Sequence, residues 1–379
     1  MKKITIWAIV IVLIIIITGY WIYLDQTEPG GEKQIIKIGV LIPLSGARAE
    51  GGNYDKNGLE LAVSEINQDL VKKYPVELIY EDTQYDPKIG VTAMNKLKDF
   101  DQVKYVIGAH GSSVTLAVAP IAEENKIILI TPASQSTDIT GAGDYIFRTQ
   151  INIALEAPVL ADFIYKKVLA EPVHLMLLNT EYGKSFETNF IPYYKKIGGQ
   201  IGLTEWYGKD DADFRTSLTK IKNQNPLYIL IAGVPKQAAL IMKQAKEMGL
   251  TVQFFATAPI EAGELIDIGK EAVEGIIFTS PYDETSEDSV MKVYRDQYFA
   301  KYNEHNEMYS AAFYDTLNIL SACFEKVGID VEKVKQCLYD TQDYQGASGI
   351  LSFDANGDIT KPFIFKTVKD GQFVKYENN

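Results

Sequence analysis

Along most of the chain, short continuous apolar runs alternate with longer stretches that carry a single apolar face. Residues 35–43 (IIKIGVLIP) are apolar, rich in β-branched side chains and closed by proline, the pattern of a strand buried in a parallel sheet. Over 57–67 the apolar residues Leu59, Ala62, Val63 and Ile66 recur at helical spacing. The order then repeats, with strands predicted at 76–80, 105–108 and 127–131 and helices at 89–97 and 114–124. After Phe147 it resumes, with helices at 154–169, 185–196, 214–223 and 235–248 and strands at 173–178, 200–206, 228–232 and 253–256. Asp213 is placed to cap the helix at 214, and Gly249 to close the one ending at Met248.

Two βα series of similar size predict an α/β protein with two parallel sheets, each covered by helices on both faces. No Pro/Gly/Ser-rich linker separates them, so the lobes are expected to be joined by strands that pass between them. The tail differs. Two helices are predicted over 323–338, joined at 328–331, then strands at 349–353 and 363–368 around Asp354-Ala355-Asn356-Gly357-Asp358. Asn356-Gly357 is a two-residue hairpin signal. The same run spells D-x-N-x-D, but a calcium loop needs glycine at its sixth position and an acid at its twelfth, and Ile359 and Phe365 stand there.

A chain of 379 residues, 46% hydrophobic, suits two domains. The net charge is −13 and no Lys/Arg run follows the first three residues, which argues against a nucleic-acid partner. The N-terminus changes the picture most. Lys2 and Lys3 precede an apolar run over 4–24, broken only by Thr18 and Gly19 and long enough to cross a hydrocarbon core of ~30 Å. Trp7, Tyr20, Trp21 and Tyr23 lie towards its ends. It reads as an uncleaved anchor with the rest of the chain outside the cytoplasm, and 25–34 as a tether; a cleaved signal peptide is the alternative. No cysteine lies nearby to carry a lipid.

Enzyme signatures are missing at the places that would carry them. There is no G-x-x-x-x-G-K-[ST] loop, and the first strand runs into Pro43-Leu44-Ser45-Gly46 where a dinucleotide fold has G-x-G-x-x-G. His110, His174 and His305 have no ligating partner three or four residues away, and Gly111-Ser112 lacks the G-x-S-x-G elbow. No catalytic residue, metal or cofactor is expected. The small hydroxyl residues at two strand ends remain: Gly108-Ala109-His110-Gly111-Ser112-Ser113, which opens a helix, and Thr131-Pro132-Ala133-Ser134-Gln135-Ser136. Ligands of parallel sheets bind beyond the carboxyl ends of the strands, and a helix N-terminus there suits a carboxylate. Ser112 or Ser113 could add a hydroxyl donor, or could merely cap the helix.

The order of these pieces resembles the leucine/isoleucine/valine-binding proteins. The resemblance starts with Ile38-Gly39-Val40-Leu41-Ile42-Pro43-Leu44-Ser45-Gly46, Asn57-Gly58 and Glu65-Ile66-Asn67. It continues through Ile107-Gly108, Ser112-Ser113, Ala119-Pro120-Ile121-Ala122, Ile130-Thr131-Pro132 and Glu181-Tyr182-Gly183. Gln244-Ala245, Met248-Gly249-Leu250, Val273-Glu274-Gly275, Gly346-Ala347-Ser348-Gly349 and Phe353-Asp354 complete it. It implies a type I periplasmic-binding-protein fold with three crossover strands. Lobe 1 would take 35–152 and 282–348, and lobe 2 would take 153–281 and 349–379. It also implies the substrate-binding role of an ABC uptake transporter that works with permease subunits and binds a branched-chain or related amino acid in the cleft. The same fold serves ligand-sensing receptors and amide-responsive regulators, which stand as the alternative.

By the same resemblance, Ser112 and Ala133, Ser134 and Gln135 hold the ligand's carboxylate and amine, and Tyr182 reaches in from the second lobe. The acidic residue that takes the ammonium falls at Ala258, with Glu261 nearby. Gln135 replaces a hydroxyl residue, and aromatic positions fall at Gly51 and Val234. Finally, Cys323 and Cys337 lie on helices expected to pack side by side. Outside the cytoplasm they can form one bridge, or remain two buried thiols.

Overall fold

The computed structural model describes residues 33–168 and 171–377. The apolar run expected to anchor the chain lies outside them, and among the described residues no helix is long and apolar enough to cross a membrane. The first sheet holds β1 (Ile36–Ile42), β2 (Val76–Asp82), β3 (Tyr105–Gly108), β4 (Ile128–Thr131) and β5 (Ile146–Arg148). Its order is β2-β1-β3-β4-β5 and every pairing is parallel. Strand β1 has apolar side chains on both faces because helices cover both. Ile38, Val40 and Ile42 pack with Leu59 of α1 (Ala49–Gln68), and Leu41 with Met94 and Leu97 of α2 (Pro87–Asp99) and Val118 of α3 (Ser112–Glu124).

The second lobe repeats the plan. Its helices are α4 (Ile153–Val168), α5 (Glu181–Lys196), α6 (Arg215–Lys222), α7 (Pro235–Glu247) and α8 (Gly263–Gly269). Its strands include β6 (Val173–Leu178), β7 (Ile201–Tyr207), β8 (Tyr228–Ala232), β9 (Gln253–Ala256) and β10 (Ile277–Ser280). Along β6, Met176 and Leu178 pack with Leu218 and Met242, while Leu175 and Leu177 pack with Leu160, Phe186 and Phe190. The chain then returns to the first lobe as α9 (Ser289–Tyr302), α10 (Met308–Val327) and α11 (Val331–Tyr339). Phe313 and Leu317 of α10 join the core of the first lobe.

Three differences from the sequence reading stand out. The second sheet is not wholly parallel, because β13 (Ile364–Lys369) and β14 (Gln372–Lys375) add to β10 antiparallel. Their tight turn is Asp370-Gly371, where both residues have positive φ (53° and 70°), as a two-residue hairpin loop requires. The turn at Asn356-Gly357 forms too, but its flanks join different sheets. Asp354 Oδ1 accepts the amides of Asn356 and Asp358, and Phe353 pairs with Ile359.

The last crossing also comes later than residue 349. A small hairpin of β11 (Tyr344–Gly346) and β12 (Gly349–Leu351) precedes it, and Leu351, Phe353 and Ile359 all belong to the first lobe's core. Buried Arg148 fixes this segment. Its Nε and Nη2 donate to Asp358 at 2.9 and 2.6 Å, its Nη1 donates to the Ser136 carbonyl, and its backbone N–H donates to Gly357. The carboxylate that closes the calcium-like run is thereby committed to a guanidinium. The helix α9 went unread because its buried face is Met291, Tyr294 and Tyr298 while Val290, Val293 and Phe299 are exposed, so its apolar residues lie on more than one side.

Cys323 of α10 and Cys337 of α11 are joined by a disulfide with Cα atoms 5.8 Å apart. A loop of this length contributes about 3 kcal/mol in the chain-entropy account. Replacing both cysteines with alanine should lower the unfolding free energy by that order, read as an earlier guanidinium midpoint at unchanged slope, and reductant should do the same to the natural protein. Free thiols titrated in the unfolded, unreduced protein would contradict the bridge.

Candidate functional site

The residues singled out in the sequence come from both lobes, and Ser113 lies at the contact between them. The cleft-facing end of α3 starts at Gly111, whose φ of 101° and lack of Cβ let the Tyr85 ring lie against it; a Cβ there would sit 2.3 Å from that ring. Neither serine caps the helix. The Ser112 hydroxyl oxygen accepts the amides of Gln135 (3.2 Å) and Ser136 (3.1 Å), tying α3 to the loop after β4. Ser113 accepts the amide of Glu181 in the other lobe at 3.2 Å. Ala133 pairs with His110 through the backbone, and Ser134 is turned inwards, donating to the Ala109 carbonyl. The Gln135 carbonyl accepts from Ile153, the first residue of α4, while its side-chain Nε2 is buried without a partner.

From the second lobe, Tyr182 lies in the first turn of α5 and donates its hydroxyl to Thr257 at 2.7 Å. Ala258 is buried, and its amide donates to Glu156 Oε1 at 2.7 Å. Glu261 is in the vicinity but not free, because buried Lys366 donates to its Oε1 and also to Glu284. The lobes touch through a few further bonds. Thr137 meets Ser185 by amide and hydroxyl at 2.9 Å, and Lys209 reaches the Tyr85 carbonyl at 3.4 Å. Beside them lies a cavity of about 470 Å³ lined from both lobes, Tyr85, Gly111 and Ser113 on one side and Thr180, Glu181 and Lys209 on the other.

Sequence reasoning passed over several charged groups here. Arg48 donates from Nη2 to His110 Nε2 (3.1 Å), and His110 Nδ1 lies 2.6 Å from Asp55. A guanidinium only donates, so Nε2 is the acceptor and the imidazole proton sits on Nδ1, facing Asp55. Burial and then the Arg48 charge hold His110 well below its ordinary pKa, so it is neutral, while burial pushes Asp55 up. The His110 ring lies 5.0 Å from that of Tyr309. Arg48 Nε and Asp55 Oδ1 are buried with no protein partner, and the buried Glu307 carboxylate caps α10 by accepting the Ser310 amide. Gly51 makes room for this group: a Cβ there would meet Arg48 Nη2 at 3.2 Å and His110 Cε1 at 3.4 Å. His110 seemed isolated in sequence because Asp55 lies 55 residues away. His174 is structural, its Nδ1 accepting the Leu203 amide.

Residues 35–372 match the model of a family described as periplasmic binding protein. The chain belongs to the periplasmic binding protein family. Among solved structures, a leucine-binding protein of Thermotoga maritima is 31% identical with a TM-score of 0.86, covering 90% of this chain and 98% of its own. The branched-chain amino acid transporter substrate-binding protein of Streptococcus pneumoniae, solved with isoleucine, is 26% identical with a TM-score of 0.84, covering 90% of this chain and all of its own. A leucine-, isoleucine-, valine-, threonine- and alanine-binding protein of Pseudomonas aeruginosa is 27% identical over 86% of this chain and 87% of its own length. All three are named as binding proteins, and the streptococcal one as the substrate-binding protein of a branched-chain amino acid transporter.

One buried acid gives a stability signature. Burial pushes the Glu156 carboxyl up from 4.5 to about 7, against the opposing hydrogen bonds from Thr279 and the Ala258 amide. Between those values the native protein keeps a proton that the unfolded chain has lost. Stability therefore falls as pH rises through this window and is level on either side. Relative to Glu156→Gln, the ligand-free protein should lose about 3 kcal/mol across it. Parallel stability–pH curves for the two, from urea unfolding, would contradict the assignment.

Proposed function

We propose that this protein is the extracytoplasmic substrate-binding component of an ABC uptake transporter, closing its two lobes on one amino acid and presenting it to permease subunits. The observation that carries this reading is the set of buried polar atoms without partners, Gln135 Nε2 and Arg48 Nε in the first lobe and Glu156 Oε2 in the second, where the lobes meet. Protein interiors rarely leave such groups unpaired, and a zwitterion with a polar contact at each end would complete them. The loop at Ala133, Ser134 and Gln135 and the Ser112 hydroxyl, at the start of α3, form the carboxylate end; Tyr182, Ala258 and Glu261 belong to the wall contributed by the second lobe.

The side chain of the ligand is expected to be polar as well. The Arg48–His110–Asp55 chain fills the space beside Gly51, where the resemblance places an aromatic residue. A purely aliphatic side chain would leave Arg48 Nε unsatisfied, which costs more than its burial returns. The apolar run at 4–24 is proposed to hold the domain to the outer face of the membrane. N-terminal sequencing of the mature protein from near Thr27 would show cleavage instead.

Calorimetric titration with each of the twenty L-amino acids tests the reading. At least one should bind, and Tyr182→Phe should weaken it roughly tenfold by loosening Thr257 and the cleft wall. Arg48→Met should cost threonine, serine, asparagine or glutamine more than leucine. Binding of no amino acid would overturn the proposal.

A further inference from the structure

An amino acid brings an ammonium into the cleft, and a buried ammonium needs an acceptor of negative charge. The residue at the position expected to supply it is Ala258, whose methyl group cannot. Glu261 is the nearest acid in sequence, but its carboxylate is turned to buried Lys366, which it shares with Glu284.

Glu156 comes from a different element, the first turn of α4, and reaches the same place. Its side chain is fully buried. Its Oε1 accepts the backbone amide of Ala258 itself and the hydroxyl of Thr279, two neutral donors that fix the carboxylate without neutralising it. Its Oε2 has no partner. The groups that feel its charge are the phenols of Tyr182 and Tyr309, both pushed well up by burial and therefore neutral. Among the described residues no cation pairs with it: Arg48 is turned to His110, and Lys366 lies between Glu261 and Glu284. The base of α4 is tied to the ligand loop: Ile153 donates to the carbonyl of Gln135, whose amide donates to Ser112. Glu156 thus stands one helical turn from the loop expected to hold the carboxylate of the ligand.

We infer that Glu156 is the ammonium acceptor of the cleft, doing from α4 what the residue at 258 no longer does, and that it restricts the site to ligands bearing a protonated amine. This rests on the amino-acid reading above. Glu156 accepts an ammonium only when ionised, so ligand affinity rises with pH until the carboxyl has lost its proton, by up to tenfold per unit, and is level above about 7.

The probes are the twenty L-amino acids and, for whichever binds the natural protein, its 2-hydroxy acid counterpart, in which a hydroxyl replaces the ammonium. Glu156→Gln keeps an oxygen for the Ala258 amide but loses the charge. It should weaken the amino acid ten- to a hundredfold, abolish the pH dependence, and leave the already weak hydroxy acid unchanged or tighter. The pH profile of the natural protein needs no variant to fold, and a flat profile from acidic to neutral pH would overturn the inference. Equal affinity of the natural protein and Glu156→Gln for the amino acid would overturn it too. If the natural protein binds no amino acid, the receptor reading itself falls, and this inference with it.

Discussion

The contact between the lobes buries more polar atoms than the protein itself pairs. Arg48, Asp55, Glu156 and Glu261 each leave at least one polar atom there without a partner. Each such atom costs on the order of 1–3 kcal/mol when buried, and more if it carries charge. Against this, the bonds that cross between lobes are few: Ser113 with Glu181, Thr137 with Ser185, and Lys209 with Tyr85. At about 1 kcal/mol apiece they cannot hold the lobes shut alone. On the function proposed here, closure depends on a ligand that supplies the missing partners, the coupling by which a binding protein reports occupancy through its shape.

The crossings between lobes carry the other half of the mechanism. Arg148 ends β5, holds the loop of the third crossing through Asp358, and reaches the Ser136 carbonyl in the ligand loop. One buried guanidinium thus links the loop proposed to hold the ligand to the segment about which the lobes would turn. The neighbouring crossing strands pair through Ile151 and Ile359. Hinges built from a few short extended segments leave both cores intact as they bend.

The sequence made the two lobes legible because parallel strands covered on both faces have to be continuous apolar runs, and β3, β6, β8 and β9 end where those runs end. Legibility failed where the buried face is made of tyrosine, as in α9, and where turn chemistry was read without its partners. Asp370-Gly371 closes the hairpin that Asn356-Gly357 seemed to announce. In the proposed site, Ser112 and Gln135 could be picked out by their place after parallel strands, and Tyr182 through the resemblance alone. Glu156 could not, because an acid in the first turn of a helix ordinarily faces water. Only the packing of α4 against Thr279 and Ala258 buries it. The link from Arg48 through His110 to Asp55 joins three segments that only the folded lobe brings together.

The dependence of closure on ligand is open to one direct measurement, small-angle scattering of the protein alone and with a saturating amino acid. The unpartnered polar groups at the lobe contact predict an open ligand-free molecule whose radius of gyration falls on binding. A radius that is already small without ligand, and unchanged by it, would contradict the account.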